Sequence, residues 1–294
     1  MLAFCCLRNE IQRLPHWLDH YRSLGVAHFL IVDNASHDGS TEMLAGQPDV
    51  SLWSTDHAYR SARFGMDWLS WLLLRYGHGH WCLTVDADEL LIYPHHDSHD
   101  LRKLVTQLEA MGVPAMGALM VDLYPRASLG TPMDGGQSPL DYLGWFDAGP
   151  YETQIQQPRR NRWTRGGVRA RVFFSDRPHR APTLNKLPLV RWNRRFAYTN
   201  STHAALPPRL NDAWDGPGDP RLSGILLHTK FLPDAIARGR EDISRRQHFA
   251  DPDAFRPYYD ALASAPCLWH SRSRQLGDWR DFVSAGLMGT GDWH

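Results

Sequence analysis

The 294-residue sequence predicts an α/β fold, one open and mostly parallel sheet flanked by helices. Three observations predict it. Short apolar runs alternate with helically spaced apolar residues from Leu2 to Leu123. Polar, turn-rich clusters separate them, as loops do at the ends of strands. Hydrophobic residues make up 43% of the chain and charged residues 22%, enough for a sizeable core in one large domain.

Leu2 to Leu7 is a short apolar run and reads as a buried strand. Ile11, Leu14, Trp17, Leu18, Tyr21 and Leu24 recur at helical spacing, with Pro15 near the first turn and Gly25 as the stop. His28 to Val32 is a second strand, and the polar loop Asp33 to Ser40 leads into a short helix from Thr41. Val50 to Ser54 is a third strand. Arg63 to Tyr76 is a helix whose apolar side carries Phe64, Trp68, Trp71 and Leu72; the run Trp68 to Leu74 fits a buried helix and is too short to span a bilayer. Trp81 to Val85 is a fourth strand, Asp100 to Met111 a helix, and Ala115 to Leu123 another strand.

From Pro125 to about Pro220 the pattern weakens, and only Arg169 to Phe174 and Leu187 to Trp192 look like strands. Irregular stretches of this length in compact proteins are usually functional. Ile225 to Phe231 is a further strand, followed by helices over Pro233 to Gln247 and Ala254 to Ala263. The division expected is a main domain over 1–232, in halves 1–125 and 126–232, and a C-terminal helical extension over 233–294.

With 32 basic and 32 acidic residues the net charge is zero, which gives no electrostatic case for nucleic acid. A local basic patch is open to Arg159, Arg160, Arg162, Arg165, Arg169 and Arg171, which lie close in sequence. Cys5, Cys6, Cys82 and Cys267 show no metal-knuckle spacing and read as reduced thiols. No signal peptide or transmembrane run is seen, so a cytoplasmic location is expected, with room for peripheral membrane association.

The central chemical signal is Asp86-Ala87-Asp88-Glu89, directly after an apolar strand. The carboxyl end of a parallel strand faces the ligand crevice of an open sheet. Two carboxylates separated by one residue can hold a hard divalent cation, which stabilises a departing diphosphate. The bland alternative is a helix cap or a solvated loop. In the earlier loop, Asp33 could accept hydrogen bonds from a base or ribose, while Asp38 and Ser40 shape the turn. His228, near the end of a later strand, could complete a manganese-type ligand set, and Lys230 could meet phosphate. Arg60, Arg63, Lys186 and Arg191 are further phosphate candidates, and His203 an acceptor-side one. His95, His96, Asp97 and His99 read as a solvated loop.

Taken in order, Leu7-Arg8-Asn9-Glu10, the helix with Trp17-Leu18-Asp19-His20-Tyr21, the loop Val32 to Ser40, and Val85-Asp86-Ala87-Asp88-Glu89 resemble the family 2 glycosyltransferases, in particular a bacterial branch with a D-x-D-E motif. The resemblance is good over residues 3–125 and thinner to about 250. It implies a Rossmann-like GT-A fold and a hexosyltransferase-type activity in polysaccharide biosynthesis, with a nucleotide-sugar donor and a glycan or lipid-linked saccharide acceptor. By the resemblance Leu7, Arg8, Glu10 and Asp33 line the nucleotide site, with Arg63 and Lys230 added as donor-binding candidates. Asp86 would contact donor and metal, Asp88 and His228 the metal, and the cofactor would be Mn²⁺ or Mg²⁺.

The Glu-Asp pair that usually supplies the family's base is not visible. Inverting transfer needs a carboxylate at the acceptor hydroxyl. Asp122, Asp141, Asp147 and Glu152 are the candidates, Asp147 preferred and Asp122 next. Tyr124, Trp145, Phe146 and Trp163 are candidates to stack on acceptor sugars. The rival readings are a metal-dependent nucleotidyltransferase or hydrolase using the same carboxylates, and a non-catalytic carbohydrate-binding protein.

Overall fold

The structure, a computed structural model, describes residues 1–245 and 255–293. In chain order its elements begin with β1 (Leu2–Leu7), α1 (Leu14–Ser23), β2 (His28–Asp33), α2 (Ser40–Ala45), β3 (Val50–Ser54), α3 (Met66–Leu72) and β4 (Trp81–Thr84). Then come β5 (Glu89–Ile92), α4 (Leu101–Ala110), β6 (Ala115–Tyr124), α5 (Pro139–Tyr142), β7 (Trp145–Phe146), β8 (Tyr151–Gln156) and β9 (Asn161–Gly166). The chain closes with β10 (Asn185–Arg191), β11 (Ala197–Tyr198), β12 (Ala205–Leu206), β13 (Gly224–His228), α6 (Ala235–Arg245), α7 (Arg256–Ala263), β14 (Arg274–Gln275) and α8 (Trp279–Ser284).

The central sheet runs β14-β7-β6-β10-β4-β1-β2-β3, with β13 joining β6 to β5. Strands β4, β1, β2 and β3 are parallel neighbours, as is the pair β6 and β13. This parallel half is the α/β layer expected from the alternation of runs. Strand β10 lies antiparallel between β4 and β6, and β5, β7 and β14 also pair antiparallel. All ten residues of β6 are buried, so the strand is covered on both faces.

Helix α1 ties sheet to loop. Its buried stripe Leu14, Trp17, Leu18 and Tyr21 follows the helical period. The Tyr21 hydroxyl donates to Glu89 O at 2.9 Å and accepts from Leu91 N at 3.0 Å, while Trp17 Nε1 donates to Asp86 O at 3.1 Å. One helix thus fixes the backbone on both sides of the acidic loop. Gly117 on β6 is needed for close approach, since a Cβ there would lie 2.4 Å from Trp214 Cβ.

Several expectations are corrected. Arg169–Phe173 is a helical turn, not a strand; Gly166 and Gly167, both at positive φ, break the extended run before it. β8 and β9 form a hairpin within the stretch read as irregular; strongly polar strands of this kind give no apolar alternation to read. The segment around α3 is not buried on every side: Met66, Leu69, Leu72 and Leu73 face the core, but Trp71 is 52% and Leu74 51% exposed. The helices expected over 233–247 and 254–263 correspond to α6 and α7, with positions 246, 247 and 254 lying outside the described residues.

The C-terminal segment packs onto the sheet. β14 extends the edge at β7, Phe282 stacks on Phe146 with centroids 4.7 Å apart, and Trp293 stacks on Tyr93 at 6.3 Å. Among the described residues no helix is long and apolar enough to cross a membrane.

Candidate functional site

A cleft of about 350 Å³ opens at the carboxyl ends of β1, β4 and β13. Residues after β1 and β4 form its floor, and α6 and α7 supply one wall. This is where an open α/β sheet offers a crevice to ligands.

At its centre is an acid–histidine row built by strand register. His228 on β13 stands opposite Asp122 on β6 and Glu89 on β5. His228 Nδ1 lies 2.5 Å from an Asp122 oxygen, and His228 Nε2 lies 3.0 Å from Asp88 Oδ2. Arg169 grips Asp122 through two contacts of 2.7 and 2.9 Å. Burial favours neutral forms here, but the charged neighbours win. Against its burial, the His228 ring and nearby Arg13 and Lys230 hold the Asp88 carboxyl well below the ordinary range. Against the same burial cost, Arg169 and His228 lower Asp122, while Asp88 and Asp122 raise His228.

A second group secures the acidic loop. Buried Lys186 reaches Asp86 and Glu89, both at 2.8 Å. Burial works against its ammonium, yet the two carboxylates raise its pKa. Glu89 Oε2 also accepts from Asp86 N at 3.1 Å, closing the turn. Asp86 keeps its side chain half-exposed to the cleft. At the other end, Arg13 and Arg238 both pair with Glu10, and Arg13 also reaches Asp234 at 3.3 Å. Arg8 donates to Asn34 O at 2.8 Å and Ala35 O at 2.6 Å, which ties the ends of β1 and β2 together.

Leu7, Arg8, Glu10, Asp86, Asp88, His228 and Lys230 therefore share this cleft, with Lys186 and His203. Burial and nearby Lys186 lower the His203 pKa to about 3, so its ring is neutral near pH 7.

Other expectations fail on placement. Asp33 is outside the cleft lining: it is 2% exposed, and its carboxylate accepts from Ser36 N and Oγ and from Thr41 Oγ1 at 2.7 Å, so it is spent on its own loop. Arg63 is exposed and pairs with Asp67 at 2.6 Å, away from the lining. Asp147 is no base at the cleft. It is buried and held by Arg171 at 2.8 Å, by the Tyr124 hydroxyl and by His270 at 3.4 Å. Asp122 sits beneath His228 as its orienting partner, with both oxygens occupied. Asp141 and Glu152 are exposed, and Asp141 is bonded to Ser138 at a helix start. Tyr124, Trp145, Phe146 and Trp163 do not line the cleft, nor do Arg60 and Arg191. His95 packs against Trp279 with ring centroids 4.6 Å apart, and His99 against Trp293 at 5.4 Å, a packing role.

Arg13, Arg238, Tyr59 and Asn34 line the cleft without having been singled out. A signal existed for Arg13, three residues after Glu10 and paired with it at 3.1 Å. None existed for Arg238, whose partner is 228 residues away.

No protein-family model and no curated protein matches the sequence. Among solved structures, the chain is similar to a putative glucose-1-phosphate thymidylyltransferase from Bacillus anthracis, with 11% identity, a TM-score of 0.29 and overlap of 47% of this chain and 62% of that one. It is also similar to a 4-diphosphocytidyl-2C-methyl-D-erythritol synthase, with 18% identity, a TM-score of 0.30 and overlap of 47% of this chain and 65% of that one. The overlap thus spans less than two thirds of either neighbour.

The donor set can be tested against a divalent ion. Asp88 Oδ2 and His228 Nε2 are hydrogen-bonded to each other at 3.0 Å, a separation that ligands at about 2.1 Å in adjacent octahedral positions would also have. Asp122 on Nδ1 holds the His228 ring in place, as an outer-shell carboxylate does for a histidine that binds metal. Among the described residues no group of three or more histidine, cysteine, aspartate or glutamate side chains is placed to hold a metal ion.

Proposed function

We propose that the chain is a divalent-metal-dependent glycosyltransferase of the GT-A type, similar to family 2, that uses a nucleotide-sugar donor and a glycan or lipid-linked saccharide acceptor. The observation that carries this reading is the Asp88–His228 pair, 3.0 Å apart in the cleft, with the far ring nitrogen secured by Asp122. Asp88 and His228 would hold Mn²⁺ or Mg²⁺, the donor diphosphate filling the remaining positions. Bound there, the ion would offset the charge that develops on the leaving diphosphate.

The chain's own residues do the rest. Lys186 and Glu89 fix the turn so that Asp86 faces the cleft with its loop already ordered. Lys230, with its ammonium 5.6 Å from the Tyr258 ring centre, stands on the cleft wall as a point charge for phosphate. Neutral His203 can exchange hydrogen bonds with a sugar hydroxyl without bringing charge.

One observation favours a second reading, a nucleotidyltransferase. Neither carboxylate preferred as acceptor base reaches the cleft, and attack by an already ionised sugar phosphate on a nucleoside triphosphate needs no such base.

The deciding experiment is a thermal shift with UDP and GDP, with and without Mn²⁺, followed by product analysis with nucleotide-sugars. The expected result is stabilisation by diphosphate that requires metal and disappears in Asp88→Ala, whose fold is retained. Unchanged metal-dependent stabilisation in that variant would sink the site. Release of sugar phosphate or a nucleotide-sugar, with no glycosylated acceptor, would favour the second reading.

A further inference from the structure

Helix α3 and the turn after it carry apolar side chains on two opposite sides. The inner side, Met66, Leu69, Leu72 and Leu73, belongs to the core. On the outer side Trp71, Leu74 and Tyr76 are 52%, 51% and 39% exposed. Trp53, from the sheet-edge strand β3, joins them, with centroids 6.4 Å from Trp71 and 5.9 Å from Tyr76. Exposed rings and leucine clustered on one side of a helix mark an interaction surface.

The surrounding charge says what kind. Arg75 lies 5.9 Å from the Tyr76 ring centre and is exposed. The turn just beyond is knitted to the 192–194 segment through Gly79 N to Trp192 O at 2.9 Å, Trp192 N to His80 O at 2.8 Å and Arg194 N to His78 Nδ1 at 3.3 Å. That brings the exposed Arg194 and Arg195 next to the turn that follows α3. Among the described residues no acidic side chain pairs with Arg75, Arg194 or Arg195, and the acid of α3, Asp67, is already paired with Arg63 at 2.6 Å. The chain has zero net charge, so this is a local cationic excess. Trp71 meets Trp53 at 74° and Tyr76 at 80°, so the rings form no flat platform for a sugar. Tryptophan, tyrosine and leucine with unpaired arginines at one end suit the boundary between anionic headgroups and acyl chains.

We propose that this outer face of α3, with the turns around Arg75 and Arg194, docks the protein onto an anionic bilayer surface, Trp71 and Leu74 entering the headgroup boundary. The inference is independent of the cleft's chemistry. It is tested by sedimenting the full chain with vesicles of phosphatidylcholine alone, or containing about a third phosphatidylglycerol, at low and high salt. Wild type should pellet with the anionic vesicles, less so at high salt, and little with neutral ones. Trp71→Ser/Leu74→Ser and Arg75→Glu/Arg194→Glu/Arg195→Glu should each weaken pelleting at least tenfold, with melting temperature and nucleoside-diphosphate binding unchanged. Failure of wild type to pellet at low salt would overturn the proposal, as would equal pelleting of the variants. Self-association of wild type that Trp71→Ser/Leu74→Ser abolishes would overturn it too, by showing that a second copy covers the face.

Discussion

At the scale of single residues, the structure separates carboxylates that face the cleft from those that are tied into the fold. Asp86 and Asp88 face the cleft, whereas Asp147 spends its oxygens on Arg171, Tyr124 and His270. Removing one partner of a buried, hydrogen-bonded ion pair leaves the other uncompensated, at a cost on the order of 3 kcal/mol. Asp147→Asn is therefore expected to lower the urea midpoint clearly while nucleoside-diphosphate affinity per folded molecule stays the same. Full stability with lost turnover would restore Asp147 as a base. Asp122→Asn should act differently, because it releases the ring that holds the proposed ion: metal affinity should fall about 10- to 100-fold, read by Mn²⁺ titration. That Asp86, Asp88 and His228 would lie in the cleft was legible because strand ends announce the crevice. Asp33 was misread because a loop aspartate that binds its own turn looks the same in sequence as one that binds a ribose. Only the acceptor geometry distinguishes them, with Ser36 and Thr41 filling the oxygens.

At the scale of elements, α1 shows how local pattern becomes function. Its apolar spacing is plain in the sequence, and the same stripe carries the Trp17, His20 and Tyr21 contacts that hold the acidic loop and β5. Strands β1 to β4 and β6 were readable for the same reason, as apolar runs bounded by turns. β5 was not, because Glu89 opens it and its pairing partner β13 lies more than a hundred residues on. β10 was readable as a strand but not as antiparallel, since direction is set by a long-range partner. The docking of α1 makes a pH prediction. Burial lowers the His20 pKa to about 4, and its ring lies 2.8 Å from Leu91 O, donating as the neutral tautomer. As pH falls below about 6.5 the unfolded chain takes up a proton that the folded chain refuses, so stability declines with acid until the folded ring also protonates near 4. The loss from this residue is about 2 kcal/mol by pH 5. His20→Gln keeps an N–H for Leu91 O but cannot titrate. Its urea midpoint should fall less than that of wild type between pH 7 and 5, and parallel profiles would contradict the assignment.

At the scale of the whole molecule, the cleft is completed by a segment remote in sequence from its floor. Arg238 on α6 reaches Glu10 after β1, and Tyr258, Tyr259 and Leu262 of α7 line the same wall. Beyond them, Leu268, Trp279, Phe282, Leu287, Met288 and Trp293 are buried in the same cluster as the sheet. Gly289 pairs with Ser223 next to β13, through Ser223 N to Gly289 O at 3.1 Å and Gly289 N to Ser223 Oγ at 2.9 Å. A turn-rich tail gives few periodic signals, so its packing onto the sheet was not legible. Full burial of one large apolar side chain is worth about 1.5–3 kcal/mol, and a domain's net stability is about 5–15 kcal/mol. Losing half a dozen such side chains, together with the faces they cover, removes burial comparable with that margin. A chain ending at residue 232 is therefore expected to lose cooperative thermal unfolding and near-UV circular dichroism and to bind a hydrophobic dye. Adding back a 233–294 peptide is not expected to restore them. A sharp two-state melt of the shortened chain, with nucleoside diphosphate still bound in the presence of Mn²⁺, would show instead that residues 1–232 fold alone and that the wall formed by α6 and α7 is dispensable to the donor site.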